Sequence, residues 1–392
     1  MTIPLKALHG RILDLDSHEQ IPQARYPEYF GARGKRFLEE SAGLFDMIAK
    51  IADVNSPGDG LHINVPDTAE ITEKAVWEKK GAGAPSHADL DRRPEVLDMM
   101  GIQRQLVFPT MGLVALSQTQ GGLNMGYLRL SSEAEKKVAW EALDAYNEWA
   151  AAVTSRHPDR LRVAAILPTH KPGITPDWLV KEVKRMIKGG VKAVFIPVGA
   201  PPAGMSPDDA RLDPLYATLA EANVALVTHP PSAVGFQSHE WSVVGNGVTW
   251  HHMADEYFVS VMIMGGVFER HPNLRFGVIE AGASWVGPLA ELMDFWADND
   301  RHPPGFRPHY KCAMLPSEYM ARNLRVTPFN YEPVELWFQR WPNLQDVYCY
   351  STDFPHPEGR PWSLKKFYEN VAPLGDKIIE KFFCTNGQLL VP

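Results

Sequence analysis

The chain has 392 residues, of which 45% are hydrophobic and 22% charged, and 39 Lys and Arg set against 47 Asp and Glu give a formal charge of −8. This is ordinary globular usage: it excludes a disordered or fibrous chain and leaves two or three domains, or one α/β barrel of about 250 residues with insertions. There is no basic block to favour nucleic acid or an anionic membrane, and no apolar run of the roughly 18 residues that would span a bilayer.

The first β-rich run is Arg11–Asp16 (RILDLD). The residues around it, MTIPLKALHGRILDLDSHE, hold no apolar stretch of a secretory signal, so a cytoplasmic location is expected. From about residue 19 to 100 the chain is rich in Gly, Pro and charge (YPEYFGARGKRF, NSPGDG, KKGAGAPSH) and reads as a long insertion after strand one. The second run is Gln105–Phe108. A helix over Ser132–Arg156 follows, with Ser132 and Glu135 in capping-box spacing and Val138, Ala142, Leu143, Tyr146 and Ala150 at helical intervals. Further runs are Arg162–Leu167, Ala193–Pro197 and Val224–Thr228, the last preceded by a helix at Pro214–Ala222. Leu274–Ile279 is the sixth, a helix at Val286–Ala297 comes next, and Asn323–Val326 and Val347–Tyr350 complete eight. Pro201–Pro207 and Pro303–Pro316 are shorter insertions.

Most of these runs are continuously apolar, which suits a parallel sheet covered on both faces. Eight strands alternating with helices predict a (β/α)8 TIM barrel, a single domain over residues 1–392 with the insertion lying above its C-terminal face. A two-domain doubly wound enzyme is the alternative, but no GxGxxG follows the first strand. Cys312, Cys349 and Cys384 are far apart and support neither a disulfide framework nor a thiolate zinc site.

The strand ends carry the chemistry. Strand one ends Asp14-Leu15-Asp16-Ser17-His18. Residues two apart point the same way, so Asp16 and His18 can form half of a metal site, or simply a loop start held by its own hydrogen bonds. Asp14 lies one layer deeper, where an ionised carboxylate needs a partner. Strand five ends in His229-Pro230-Pro231, which reads as a ligand or as a core histidine donating to a carbonyl. Strand six ends in Glu280, costly to bury unless paired, protonated or bound to a cation, and strand eight exits through Asp353. Four strand ends out of eight with these residue types are a stronger signal than any one of them.

These residues resemble the amidohydrolase superfamily, in the branch containing aminocarboxymuconate-semialdehyde decarboxylase and γ-resorcylate decarboxylase. The resemblance lies in Asp16 and His18, His229-Pro230, the GVFERHPNLRF stretch at Gly266–Phe276, Ser351-Thr352-Asp353-Phe354-Pro355, and Thr385-Asn386-Gly387 near the end. It implies one divalent cation held by Asp16, His18, His229 and Asp353, with Zn2+ first and Mn2+ or Fe2+ as alternatives. It also implies a homo-oligomer, a dimer. The decarboxylases carry a histidine where this chain has Glu280, which favours hydrolysis over decarboxylation.

The expected function is therefore a metal-dependent hydrolase acting on a carbonyl-containing small organic substrate through a metal-activated water. That substrate is aromatic if the Trp, Phe and Met content marks a pocket. Asp353 or Glu280 is the expected base, and His170 or His252 the group that steadies the oxyanion. A metal-dependent non-oxidative decarboxylase of an aromatic or unsaturated acid is the alternative, with Glu280 as proton donor. A ligand-binding barrel with a structural metal is a third reading, disfavoured by the absence of a closed, cysteine-rich site. His356 is a further candidate near Asp353. His157, His271 and His302 look structural, and Trp241, Trp250 and Trp285 are candidates for a pocket wall.

Overall fold

The structure, a computed structural model, describes residues 3–46, 65–119, 131–230, 243–298, 300 and 310–392. His302 and Trp241 lie outside the described residues, as does the side chain of Trp250.

Seven parallel strands run in chain order: β1 (Ile12–Asp14), β2 (Ile102–Val107), β3 (Leu161–Ile166), β4 (Ala193–Phe195), β5 (Ala225–Thr228), β6 (Phe276–Val278) and β7 (Leu324–Val326). Ile12 stands opposite Ile102, Ala164 opposite Ala193, and Val278 opposite both Thr228 and Val326. Every residue of β3 to β7 is buried, as the apolar runs require of a sheet covered on both faces. β2 begins three residues before the predicted run, because exposed Gln103 and half-buried Arg104 break its apolar signal.

The predicted eighth run, Val347–Tyr350, forms no regular strand, yet it occupies the place of one. Val347 O accepts from Val326 N (2.9 Å), Cys349 N donates to Val326 O (3.0 Å), and Tyr350 O accepts from Leu15 N (3.2 Å). The Tyr350 N–H is drawn away to the Phe382 carbonyl (3.1 Å), which breaks the ladder. Further on, Asp353 N donates to Asp16 O (2.8 Å) and His18 N to Phe354 O (2.7 Å). The sheet thus curls until its first and last strands share one segment, an architecture of the TIM-barrel type.

Between β1 and β2 lie α1 (Tyr26–Glu40), α2 (Glu73–Glu78) and α3 (Arg93–Met100). This stretch is tied to two strand exits: Gln20 N donates to His87 O (2.6 Å) and Gly81 N to Pro355 O (2.7 Å). Next come α4 (Met111–Thr119) and α5 (Glu133–Arg156). The predicted capping box starts α5, with Glu135 N donating to Ser132 Oγ (3.2 Å) and Ser132 N to Glu135 Oε2 (2.8 Å). α6 (Pro176–Lys188) buries Leu179, Val183 and Met186, spaced four and three apart on one face. α7 (Asp213–Glu221), α8 (Val243–Met264), α9 (Val267–Arg270) and α10 (Val286–Ala297) follow, the last with the predicted bounds.

The C-terminal segment packs against strands at several points. Arg104, Arg162 and Arg325 donate to the carbonyls of Val391, Pro392 and Asn386. Gly277 in β6 admits Leu390, since a Cβ there would lie 2.6 Å from the Leu390 Cδ1. All three cysteines are free, and no described helix is long and apolar enough to cross a membrane.

Candidate metal centre

β1 delivers Asp14, Asp16 and His18 to the start of the loop that follows it, all of them buried. Asp14 finds the partners its burial demands: it accepts from Gln105 Nε2 (2.7 Å), Thr352 Oγ (2.6 Å) and Thr352 N (2.8 Å). Burial, opposed by these bonds, pushes its carboxyl up to about 7. Gln105 is itself held by Arg93 Nη1 (3.0 Å), whose Nη2 donates to the carbonyls of His18 (2.9 Å) and Ser86 (2.7 Å).

Two residues on, Asp16 and His18 point to one place, with 3.6 Å between Asp16 Oδ1 and His18 Nε2. His229, on the exit of β5, brings its Nε2 to 3.1 Å from the His18 Nε2 and 3.6 Å from Asp16 Oδ1. Its Nδ1 donates to the Pro230 carbonyl. The two readings of His229 are therefore compatible, since the Nδ1 bond leaves Nε2 facing His18. Asp353, at the exit of the eighth run, places Oδ1 3.6 Å from His18 Nε2. Of the four candidate ligands, the structure gathers Asp16, His18 and His229 in one group and sets Asp353 beside them through His18.

Their donor chemistry fits a divalent cation. Both His18 and His229 hydrogen-bond to backbone carbonyls, of Pro109 and Pro230, while their Nε2 atoms face each other. Fixing Nδ1–H in this way leaves Nε2 as a lone pair, and two such lone pairs repel unless a cation or proton lies between them. Asp16 Oδ1 and Asp353 Oδ1 are buried and have no hydrogen-bond partner. Each such orphan costs about 1–3 kcal/mol, which a bound cation would offset. The protonation balance reflects the same crowding of anions. Burial lifts Asp353 well above the usual carboxylate range and Glu280 lifts it further, while Asp16 rises to about 6. His229 rises well above the ordinary imidazole value because Glu280 and Asp16 outweigh its burial, whereas burial and the neighbouring imidazoles hold His18 well below it.

Glu280 joins this cluster, with Oε2 2.9 Å from His229 Nε2. Its backbone is in the left-handed region (φ 58°) and its N–H donates to Thr327 Oγ (3.0 Å). Glu332 steadies the turn that follows by accepting from Ala283 N (3.1 Å) and Phe329 N (2.7 Å). His356 also belongs here: its ring stacks on His18 (3.8 Å between centroids) and its Nδ1 lies 3.4 Å from Asp353 Oδ1.

His170 and His252 are not part of this cluster in the contacts they make. His170 bonds Thr119 Oγ (3.0 Å) and packs on Trp140, and burial lowers it to about 4. His252 pairs with Glu256 one turn along α8 and is raised by it. His157 and His271 are held by Asp91 (2.8 Å) and Asp213 (3.0 Å). Trp285 is buried and donates to the Gly282 carbonyl (2.9 Å).

The sequence reading missed several supports. Glu19 follows His18 directly and caps α4 by accepting from Thr110 N (2.7 Å) and Met111 N (2.9 Å). An acid next to the His18 signal could have been noticed. Arg93 carried no signal, because DRRPEVLDMM reads only as a helix start. Lys80 is half-buried, with Asp353, Asp14 and Glu358 as its charge neighbours, and nothing in KKGAGAPSH singles it out from Lys79.

A curled parallel sheet whose strand exits converge two imidazoles and two carboxylates defines the class, a metal-binding enzyme on a TIM-barrel-type scaffold. The sequence profile of the amidohydrolase family matches residues 125–388, and the chain belongs to that family. Solved structures of the same fold cover nearly the whole chain. An amidohydrolase from Mycobacterium avium subsp. paratuberculosis K-10 aligns over 97% of this chain and 99% of its own, at 20% identity and TM-score 0.64. The 5-carboxyvanillate decarboxylase of Novosphingobium aromaticivorans, solved with manganese and 4-hydroxy-3-methoxy-5-nitrobenzoic acid, aligns over 97% and 96% at 18% identity and TM-score 0.57. A dihydroxybenzoic acid decarboxylase of Polaromonas sp. JS666, solved with manganese and 2-nitroresorcinol, aligns over 97% and 96% at 16% identity and TM-score 0.58. Identities this low establish the shared fold.

Proposed function

We propose that this chain is a metal-dependent non-oxidative decarboxylase of an aromatic or unsaturated carboxylic acid. The observation that carries the reading is the pair of Nε2 atoms 3.1 Å apart, flanked by the orphaned Oδ1 atoms of Asp16 and Asp353. They stand at strand exits of a fold shared with decarboxylases of hydroxylated benzoic acids. These relatives favour decarboxylation over the hydrolysis that the sequence put first. Their manganese also makes Mn2+ the first choice of cation, ahead of Zn2+.

Asp16, His18, His229 and Asp353 would hold the cation, which when bound supplies a positive anchor for the substrate carboxylate and an adjacent oxygen. Glu280, beside His229, would carry a proton to the ring carbon as its bond to the carboxylate carbon breaks, so that carboxylate plus proton yields arene plus CO2. The stretch from about 19 to 100, bonded to the strand exits through Gln20 and Gly81, would shape the mouth through which the substrate enters, within one domain.

One observation favours hydrolysis as a second reading. Glu280 is a carboxylate where the resemblance expects an imidazole, and a carboxylate serves equally as a base toward water. The two are separated by incubating Mn2+-loaded protein with a panel of hydroxybenzoates and their esters and amides in D2O. Decarboxylation releases CO2 and leaves deuterium on the ring. Acid release from esters or amides, with no CO2 from any acid, sinks the decarboxylase reading and leaves hydrolysis.

A further inference from the structure

Beyond the metal centre, three side chains meet where the exits of β7 and the eighth run approach each other. Phe329 and Tyr331 stack with centroids 5.2 Å apart and ring planes 9° from parallel. The guanidinium carbon of Arg360 lies over the Tyr331 ring, 5.4 Å from its centroid. Asn330, between the two aromatics in sequence, joins the elements by donating from Nδ2 to the carbonyl of Gly359 (3.0 Å), the residue before Arg360. Glycine is required there, because a Cβ would lie 2.3 Å from the Thr352 carbonyl oxygen and 2.8 Å from that of Asp353. The turn therefore closes on the Asp353 backbone, and Arg360 follows directly. On the other side, Phe329 packs on the turn after β6: a Cβ on Gly282, two residues past Glu280, would lie 3.2 Å from Phe329 Cε2. The group thus borders the metal centre between Glu280 and Asp353.

What this group lacks is a partner for its charge. Among the described residues the Arg360 guanidinium has no hydrogen bond and no carboxylate within 4.0 Å, so the ring contact alone orients it. Arg93, by contrast, is buried and uses its donors on Gln105 and the carbonyls of His18 and Ser86. A guanidinium laid face-down on a ring keeps the N–H donors along its edge, the geometry that meets a carboxylate with two parallel bonds. Tyr331 is 59% exposed, so the assembly opens to solvent. Arg360 also holds φ 49° and ψ 153°, a conformation that favours glycine. Glu280 and Asp353 have positive φ as well (58° and 51°), so backbone strain gathers around this one mouth.

We infer that Arg360, held on Tyr331, binds a second anionic group of the substrate, remote from the carboxylate that the metal centre takes. The preferred substrates are then aromatic acids with a further carboxylate on the ring. Arg360 offers donors only, so it selects an acceptor, and its charge selects an anion. Without it, a second carboxylate would enter beside Glu280 and Glu358 and be repelled. The inference rests on the proposed function for the ring and its reacting carboxylate.

The test is isothermal titration of the full-length, Mn2+-loaded protein with benzene-1,3- and benzene-1,4-dicarboxylate and with their monoamides, in which a neutral carbamoyl group replaces one carboxylate. Wild type should bind at least one dicarboxylate about tenfold more tightly than its monoamide. Arg360→Gln, which has no hydrogen bond of the fold to lose, should erase that preference and leave monoamide affinity unchanged. Equal binding of dicarboxylates and monoamides by wild type overturns the inference, and so does a preference that survives in Arg360→Gln. A failure of wild type to bind any of the four overturns it as well. Release of CO2 is scored separately on the hydroxybenzoate panel. The preference without CO2 release sinks the decarboxylase reading and leaves the anion site standing, whereas CO2 release without the preference does the reverse.

Discussion

Two strand exits carry a histidine, His229 buried and His170 partly so, and the molecule treats them in opposite ways. At the exit of β5, His229 stands among Asp16 and Glu280 and is raised well above its ordinary value. At the exit of β3, His170 stands against Thr119 and Trp140, and burial lowers it to about 4. Desolvation acts the same way on both. The number of carboxylates within reach decides the sign, so burial at a barrel mouth does not by itself mark a functional histidine. His229 sits where charge is concentrated for a cation. For His170 no carboxylate enters the balance, and burial alone sets its direction.

The sharpest way to break this contrast is to remove the cation's ligands. His229→Ala or Asp353→Asn should lower turnover by about a thousandfold or more, with loss of bound metal and little change in far-ultraviolet circular dichroism. Full activity in either variant would remove that residue from the metal centre. Next in size is Glu280→Gln, expected to cut kcat by about a hundredfold to ten-thousandfold, the range of a lost proton-transfer group. Unchanged kcat would remove Glu280 from the chemistry.

The contrast also explains what could be read in advance. Apolar runs marked the strands because a parallel sheet covered on both faces needs no polar alternation, and side-chain alternation then placed Asp16 and His18 on one side. The eighth run was legible as apolar, but its irregular backbone was not, because the Phe382 carbonyl that claims the Tyr350 N–H comes from a distant part of the chain. Arg93 and Lys80 escaped for the same reason: their meaning lies in contacts with residues from the strand-one and strand-eight exits. His170 was read as a site residue because its position at a strand end was visible and its neighbours Thr119 and Trp140 were not.

A pH titration of stability sharpens the His170 side. With its folded value near 4 and an ordinary value of 6.5, the unfolded chain binds more protons between those limits. His170 therefore contributes stability that is complete above pH 6.5 and is lost as pH falls toward 4, by at most about 1.4 kcal/mol per unit. Asp14, Glu19 and Asp255, each raised to about 7, act in the opposite direction over much of this window. The wild-type curve alone would hide the effect, so the measurement is the difference between wild type and His170→Gln in urea unfolding. That difference should shrink steadily from pH 6.5 to 4. A constant difference would show that the fold does not hold His170 below its ordinary value, and the contrast with His229 would lose that half.

The smallest expected effect tests whether the two exits are energetically separate. Ser132 caps α5, the helix that carries Trp140 to His170, and no bond in its capping box reaches the metal centre. Ser132→Ala removes the oxygen that accepts from Glu135 N, at a cost of about 1 kcal/mol in unfolding free energy. Mn2+ affinity should stay at its wild-type value, because Asp16, His18, His229 and Asp353 are held by β1, β5 and the eighth run, none of which rests on that cap. A parallel fall in metal affinity would mean that α5 transmits strain across the barrel, and that the apolar exit helps to set the geometry of the charged one.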